Sequence, residues 1–288
     1  MKAELMSKMM SNKRSLMVVC LFTVTIILWA YLPQTASAEG EFTKIVVFGD
    51  SWSDNGFDDG YGFRYYSNGK LWYEYLANML GVKSVEGRAW GGALSGQGNY
   101  NSPAKTWSGL LWQVQGYTPD LETGQTLFAI EIGINDLHDP SMKIPPSAVV
   151  ENVRKAMVDL IGKGAKHIIV WNLPASITFP GYTSEKYEWY SYYAPKLNDA
   201  KAQFVKYNEL IAVAVAAEAQ NHADVKIYFY DTDNGMKEIH KKFQSTTTKW
   251  GGSYLYPNPG EYMWYDEWHL MTETHKYISE QVYDLLQK

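Results

Sequence analysis

The sequence predicts a doubly wound α/β domain, a central parallel sheet of about five strands with helices on both faces. Three observations lead there. Short apolar runs rich in β-branched residues alternate with longer stretches of helical periodicity, the pattern of successive βαβ units. The two strongest runs are apolar on consecutive residues, as strands covered on both faces require, and each stops at a glycine. About 250 residues remain once the N-terminal segment is set aside, enough for one such domain with a sizeable core.

In chain order, Lys44 to Phe48 reads as the first buried strand, ending at Gly49. Leu71 to Leu80 is an amphipathic helix closed by Gly81. Val85 to Ala89 is a weaker strand that runs into Gly91-Gly92, and Thr126 to Ile132 is a strong one that stops at Gly133. Pro145-Pro146-Ser147 opens a helix carrying Val149, Val150, Val153, Met157, Leu160 and Ile161 on one face. Lys166 to Leu173 is the next strand. A long helix follows from about Pro195 to Gln220, with Leu197, Phe204 and Ile211 at seven-residue spacing. Val225 to Tyr230 is the fifth strand, and a helix from Thr272 to Leu286 closes the chain. Two aromatic-rich segments, 174–194 and 244–265, are long for loops of a compact domain. They read either as walls of a binding pocket or as packing over the edge of the sheet.

Residues 1–38 read as an export signal. Lys8, Lys13 and Arg14 precede an almost unbroken apolar run from Leu16 to Leu32, and Thr35-Ala36-Ser37-Ala38 supplies small residues for cleavage before Glu39. The apolar run approaches the length of a bilayer span, so an uncleaved anchor is the competing reading, and Ala-Ser-Ala favours cleavage. The expected destination is secreted, either periplasmic or extracellular, with no stable membrane span after cleavage. Cys20, the only cysteine, lies inside this segment, which leaves residues 39–288 without disulfide or thiolate chemistry. Four basic residues and one acidic residue fall in 1–38, so the remainder carries 22 Lys and Arg against 30 Asp and Glu. An acidic chain with no basic stripe argues against nucleic acid as a partner.

The residues that carry chemistry follow the strands, where an open α/β sheet presents its crevice. Ser51 lies just beyond the first strand in Gly49-Asp50-Ser51, and alone it is as well explained as a capped turn. Asp266-Glu267-Trp268-His269 sets a carboxylate three residues before an imidazole. On a helical turn both would project to the same side, with Asp266 holding the tautomer of His269 that takes the Ser51 proton. Asn135, after the third strand, can aim an amide at a developing oxyanion, or simply make an Asx turn. Gly91-Gly92 follows the second strand, where a glycine lets a backbone N–H approach a substrate closely.

Together these blocks resemble the SGNH (GDSL-type) ester hydrolase superfamily, in its lipase-like branch. The matching stretches are Val46-Val47-Phe48-Gly49-Asp50-Ser51-Trp52-Ser53-Asp54-Asn55-Gly56, Ala89-Trp90-Gly91-Gly92-Ala93, Gly133-Ile134-Asn135-Asp136 and Asp266-Glu267-Trp268-His269, supported by Ser67 to Leu76. The resemblance runs from about Lys44 to the C-terminus. It implies a flavodoxin-like three-layer α/β/α sandwich, a Ser51-Asp266-His269 triad and an oxyanion hole from the Ser51 N–H, the Gly92 N–H and the Asn135 side chain. Gly92 is preferred to Gly91 because the family's donor glycine usually sits where Gly92 sits. Two departures, Trp52 where the family name has leucine and Leu270 where proline often follows the histidine, bear on substrate class and not on the chemistry.

The implied activity is that of a secreted carboxylic ester hydrolase working through an acyl-enzyme on lipid or acyl esters, or on acetyl groups of carbohydrate. It calls for no metal or organic cofactor. Asp54, Asp58 and Asp59 read as a solvated acidic loop in preference to a calcium site. A nucleotide or flavin protein is disfavoured, since no Gly-x-Gly-x-x-Gly or Walker loop follows a strand. The alternative function is a non-catalytic glycan-binding protein on the same scaffold.

Overall fold

A computed structural model describes residues 41–56, 66–102, 106–252 and 258–288. Residues 1–38, read above as an export signal, therefore lie outside the described residues, as do Asp58, Asp59, Tyr254 and Tyr256.

Five parallel strands form the main sheet. They are β1 (Lys44–Gly49), β2 (Ser84–Gly87), β3 (Thr126–Glu131), β4 (His167–Trp171) and β5 (Lys226–Tyr230), in the order β2-β1-β3-β4-β5. This is the strand order of flavodoxin-like sheets, the architecture that the resemblance implies. Two strands sit at its centre because their residues require it. Ile45 to Phe48 of β1 and all six residues of β3 are buried, so neither strand has a face to give to water. The register sets Lys44 beside Thr126 and Gly49 beside Glu131.

The helices connecting these strands are α1 (Trp72–Leu80), α2 (Leu110–Gln115), α3 (Ile134–Leu137), α4 (Pro146–Gly162), α5 (Pro180–Thr183), α6 (Tyr190–Tyr193), α7 (Leu197–Asn221), α8 (Thr232–His240) and α9 (Thr272–Leu286). Helix α1 packs against α9, while α4 packs against both α2 and α7, which gives the two helical layers. Helix α4 turns Val149, Val150, Val153, Met157 and Leu160 inward, the stripe its periodicity predicts, whereas Ile161 is only partly buried. Trp72, Trp171 and Phe128 are fully buried large side chains of the core.

The described parts of both aromatic segments contain regular structure. Residues 174–194 contain α5 and α6. The second segment contributes β6 (Ser245–Lys249) and β7 (Tyr262–Trp264), which pair parallel as a separate two-stranded sheet. No helix among the described residues is long and apolar enough to cross a membrane.

Because β2 lies on one side of β1 and β3 on the other, the chain reverses its winding direction between β1 and β3. The crevice at the carboxyl ends of those two strands is the topological switch point. The turns after β1, β2 and β3 all open there.

Candidate active site

Ser51 sits in the turn that ends β1. The turn is fastened from several sides: Asp50 Oδ1 accepts the Trp52 N–H at 3.1 Å, and the Ser53 N–H donates to the Asp50 carbonyl at 3.0 Å. Ser53 Oγ donates to Glu131 Oε2 and accepts from Trp72 Nε1, each at 3.0 Å. Beneath it, the Gln113 side chain accepts the Gly49 N–H at 2.9 Å and donates to the Gly49 carbonyl at 2.8 Å.

His269 arrives from the far end of the sequence. Its Nε2 lies 2.9 Å from Ser51 Oγ, and its Nδ1 lies 2.8 and 2.7 Å from the two Asp266 oxygens. The local geometry differs from the helical turn expected. Residues 266–269 form a loop in which Asp266 Oδ1 accepts the backbone N–H groups of Trp268 and His269, both at 2.8 Å. An Asx-type turn thus delivers the same outcome, with the carboxylate folded back onto the ring that follows it. Burial pushes the Asp266 carboxyl up. The imidazole beside it and the two N–H donors outweigh that, so it lies below the ordinary aspartate value. Tyr66 lies against the other side of the imidazole, ring centroids 4.5 Å apart.

Asn135 stands at the second position of α3, entered through Gly133 at φ 118°. Its Nδ2 donates to the Ala93 carbonyl at 3.1 Å, which leaves the second amide hydrogen uncommitted. The neighbouring Asp136 is buried and accepts from both the N–H and the hydroxyl of Ser95, which locks this loop to the one after β2. Gly92 adopts φ 79°, and a Cβ there would collide with Asn99 and Asn101. The Gly91 N–H is already taken by Asp54 Oδ2 at 2.7 Å, whereas the Gly92 N–H donates to no described residue.

Ser51, Gly92, Asn135 and His269 line one cavity of about 170 Å³, with Asp266 behind the histidine. Trp52, Tyr66, Tyr100, His138, Tyr187, Tyr193 and Trp268 complete its wall. The first aromatic segment therefore reaches the cavity through Tyr187 and Tyr193. The second segment leads into the loop that carries His269. Trp52 accounts for its own departure from the family pattern: its Nε1 donates to the Trp268 carbonyl at 2.9 Å, which ties the serine turn to the histidine loop.

Asp54 corrects one expectation. It is buried, and it accepts both the Gly56 and the Gly91 N–H, so it is a structural brace and not part of a solvated acidic loop. Sequence reasoning also missed Gln113 and His138, which lie in stretches without a motif. Among the described residues no group of three or more His, Cys, Asp or Glu side chains could hold a metal ion.

The model of the GDSL-like lipase/acylhydrolase family matches residues 45–282, nearly the whole described chain. The chain belongs to that family. Among curated proteins it is similar to the thermolabile hemolysin of Vibrio parahaemolyticus, 23% identical over 290 residues that cover 86% of this chain and 65% of the hemolysin. It is also similar to the secreted effector protein SseJ of Salmonella typhimurium, 23% identical over 218 residues, 69% of this chain and 49% of the effector. The chain thus spans about half to two thirds of the length of these two relatives. A solved structure of a carbohydrate acetylesterase family member from Sinorhizobium meliloti shares the fold at TM-score 0.51 and 15% identity, covering 85% of this chain and 98% of the other. Membership makes ester hydrolysis the class of chemistry to account for.

Proposed function

We propose that this protein is a serine ester hydrolase that cleaves carboxylic esters through an acyl-enzyme. The observation that carries this is the unbroken relay Ser51 Oγ to His269 Nε2 to Asp266, at 2.9 and 2.7 Å, opening on a cavity at the sheet's switch point. Asp266 can only accept a hydrogen bond as a carboxylate, so it holds the proton of His269 on Nδ1 and leaves Nε2 free to take the Ser51 proton.

The serine oxygen then attacks the ester carbonyl, and the bond to the alcohol breaks as His269 returns the proton to the departing oxygen. Water, activated by the same imidazole, attacks the acyl-enzyme, releases the acid and regenerates Ser51. Asp266 stabilises the imidazolium in both halves. The oxyanion is held by the Ser51 N–H, the Gly92 N–H and the uncommitted hydrogen of Asn135. Commitment of the Gly91 N–H to Asp54 favours Gly92 as the backbone donor.

We further propose that residues 1–38 are removed on export and that residues 39–288 act as one domain on small or polymeric ester substrates. Fractionation of cells producing the full chain, with mass determination of the exported product, is expected to return an N-terminus at Glu39.

Hydrolysis of p-nitrophenyl esters from acetate to palmitate, by the wild type and by Ser51→Ala, tests the activity. The wild type is expected to turn over part of the series and the variant none of it above background. Turnover that survives Ser51→Ala rules out the serine mechanism.

A further inference from the structure

His138 is buried in the wall of the cavity, on the turn that closes α3 and three residues beyond Asn135. Aromatic rings hold it on three sides: Tyr100 and Trp268 edge-on, at centroid distances of 4.7 and 5.3 Å, and Tyr193 stacked at 5.8 Å. Its orientation is fixed by chemistry as well as packing. Nδ1 lies 3.1 Å from the Ile134 carbonyl, an oxygen that can only accept, so Nδ1 carries the ring proton. Burial lowers this imidazole to about 4, which keeps it neutral at ordinary pH.

A neutral ring protonated on Nδ1 has a lone pair on Nε2. That nitrogen makes no hydrogen bond to the described residues, yet it is not sealed away among the buried atoms that lack partners. The neighbouring hydroxyls of Tyr100 and Tyr193 are engaged with each other and with Asp139. Tyr100 donates to Asp139 at 3.2 Å and shares a hydrogen bond with Tyr193 at 2.9 Å, while the Tyr187 hydroxyl accepts from Trp268 Nε1 at 3.1 Å. His138 thus presents, in the wall of the cavity, an acceptor held in one orientation and accessible to whatever the cavity binds.

We propose that His138 is a specificity-determining residue whose Nε2 accepts a hydroxyl of the substrate, so that the enzyme selects esters bearing a free hydroxyl close to the scissile bond. The surrounding rings suit the C–H faces of such a polyol, sugar or hydroxyacyl group, and Nε2 supplies the polar contact that a plain alkyl ester cannot use. This selectivity rests on the serine hydrolase reading of the same site.

The test compares kcat/KM within pairs that exchange a hydroxyl for a methyl. One pair varies the alcohol, 2-hydroxyethyl butyrate against propyl butyrate. The other varies the acyl group, ethyl 3-hydroxybutyrate against ethyl 3-methylbutyrate. In at least one pair the wild type is expected to favour the hydroxylated ester about three- to tenfold, the worth of one neutral hydrogen bond. The pair that responds identifies which side of the ester faces His138. His138→Phe, which keeps a ring among its aromatic neighbours, is expected to bring that ratio to about one. Equal turnover in both pairs by the wild type, or a preference that persists in His138→Phe, overturns the proposal. Where His138→Phe does not fold, His138→Gln retains an acceptor and must retain the preference. Loss of that preference by a folded His138→Gln enzyme counts against it. Turnover of these esters that survives Ser51→Ala removes the serine mechanism instead, so the two failures are distinct.

Discussion

Asp54 Oδ2 accepts the Gly91 N–H at 2.7 Å, joining the serine turn after β1 to the glycine pair after β2. The same carboxylate accepts the Gly56 N–H at 2.9 Å, so one buried side chain braces two turns. Asp54→Ala leaves both N–H groups without their acceptor, at about 1–3 kcal/mol for the buried Gly91 donor and less for the partly buried Gly56. A drop in Tm of several degrees is expected, with a tenfold or larger fall in kcat as Gly92 loses its register. Asp54→Asn keeps one oxygen and is expected to fall between. Thermal melts beside ester kinetics check this, and a stable Asp54→Ala with full kcat contradicts it.

Asp266→Asn is expected to abolish most activity while sparing the fold. The Asn oxygen would stay with the Trp268 and His269 N–H groups, which can only donate. The amide nitrogen would then face Nδ1 and drive the ring proton to Nε2, where it blocks transfer from Ser51. A fall in kcat/KM of about a thousand- to ten-thousandfold follows, with Tm nearly unchanged. Steady-state kinetics and a melt of the variant suffice.

Asn135→Ala removes the proposed side-chain donor to the oxyanion. Turnover is expected to fall about a hundred- to a thousandfold with little change in KM, since the interaction forms only as negative charge develops. A variant that loses KM and keeps kcat would place Asn135 in ground-state binding.

Asp50 and Glu131 carry the pH dependence of stability. Burial, which outweighs the Trp52 N–H and the nearby His269, pushes the Asp50 carboxyl up to about 7. Burial and then Asp50 raise Glu131 well above its usual value. A raised carboxyl stabilises the fold below its unfolded value near 4, and that contribution is lost as pH climbs through the folded value. Glu131→Gln removes one of the two charges. The Tm of the variant minus that of the wild type should therefore increase by several degrees from pH 5 to pH 8. Buried His138 and His275 act in the opposite sense on acidification, but equally in both proteins. A difference that does not change with pH rules this out.

The parts of the fold that were legible in the sequence are those whose physics is local. β1 and β3 are apolar on consecutive residues because both faces are covered, and α4 shows a single apolar stripe. β6 was not legible, since Ser-Thr-Thr-Thr-Lys has no apolar alternation and pairs only with the three residues of β7. Helix α8 hides behind Gly235 and buries just Thr232, Met236 and Ile239. In the site, Ser51, Gly92, Asn135, Asp266 and His269 stand in recognisable blocks. Asp54 reads like the acids that follow it, because its partner Gly91 is 37 residues away. His138 takes its meaning from Tyr100, Tyr193 and Trp268, which three separate segments supply.

Ser51 and His269 meet across 218 positions of sequence, and the Trp52 to Trp268 hydrogen bond spans nearly as many. A growing or unfolded polypeptide therefore carries the proposed nucleophile long before it acquires the proposed base. The serine stays an ordinary alcohol until the final loop closes over it, so reactivity switches on with completion of the tertiary structure. A truncation that removes the loop carrying His269 should silence the chain as surely as loss of the serine itself.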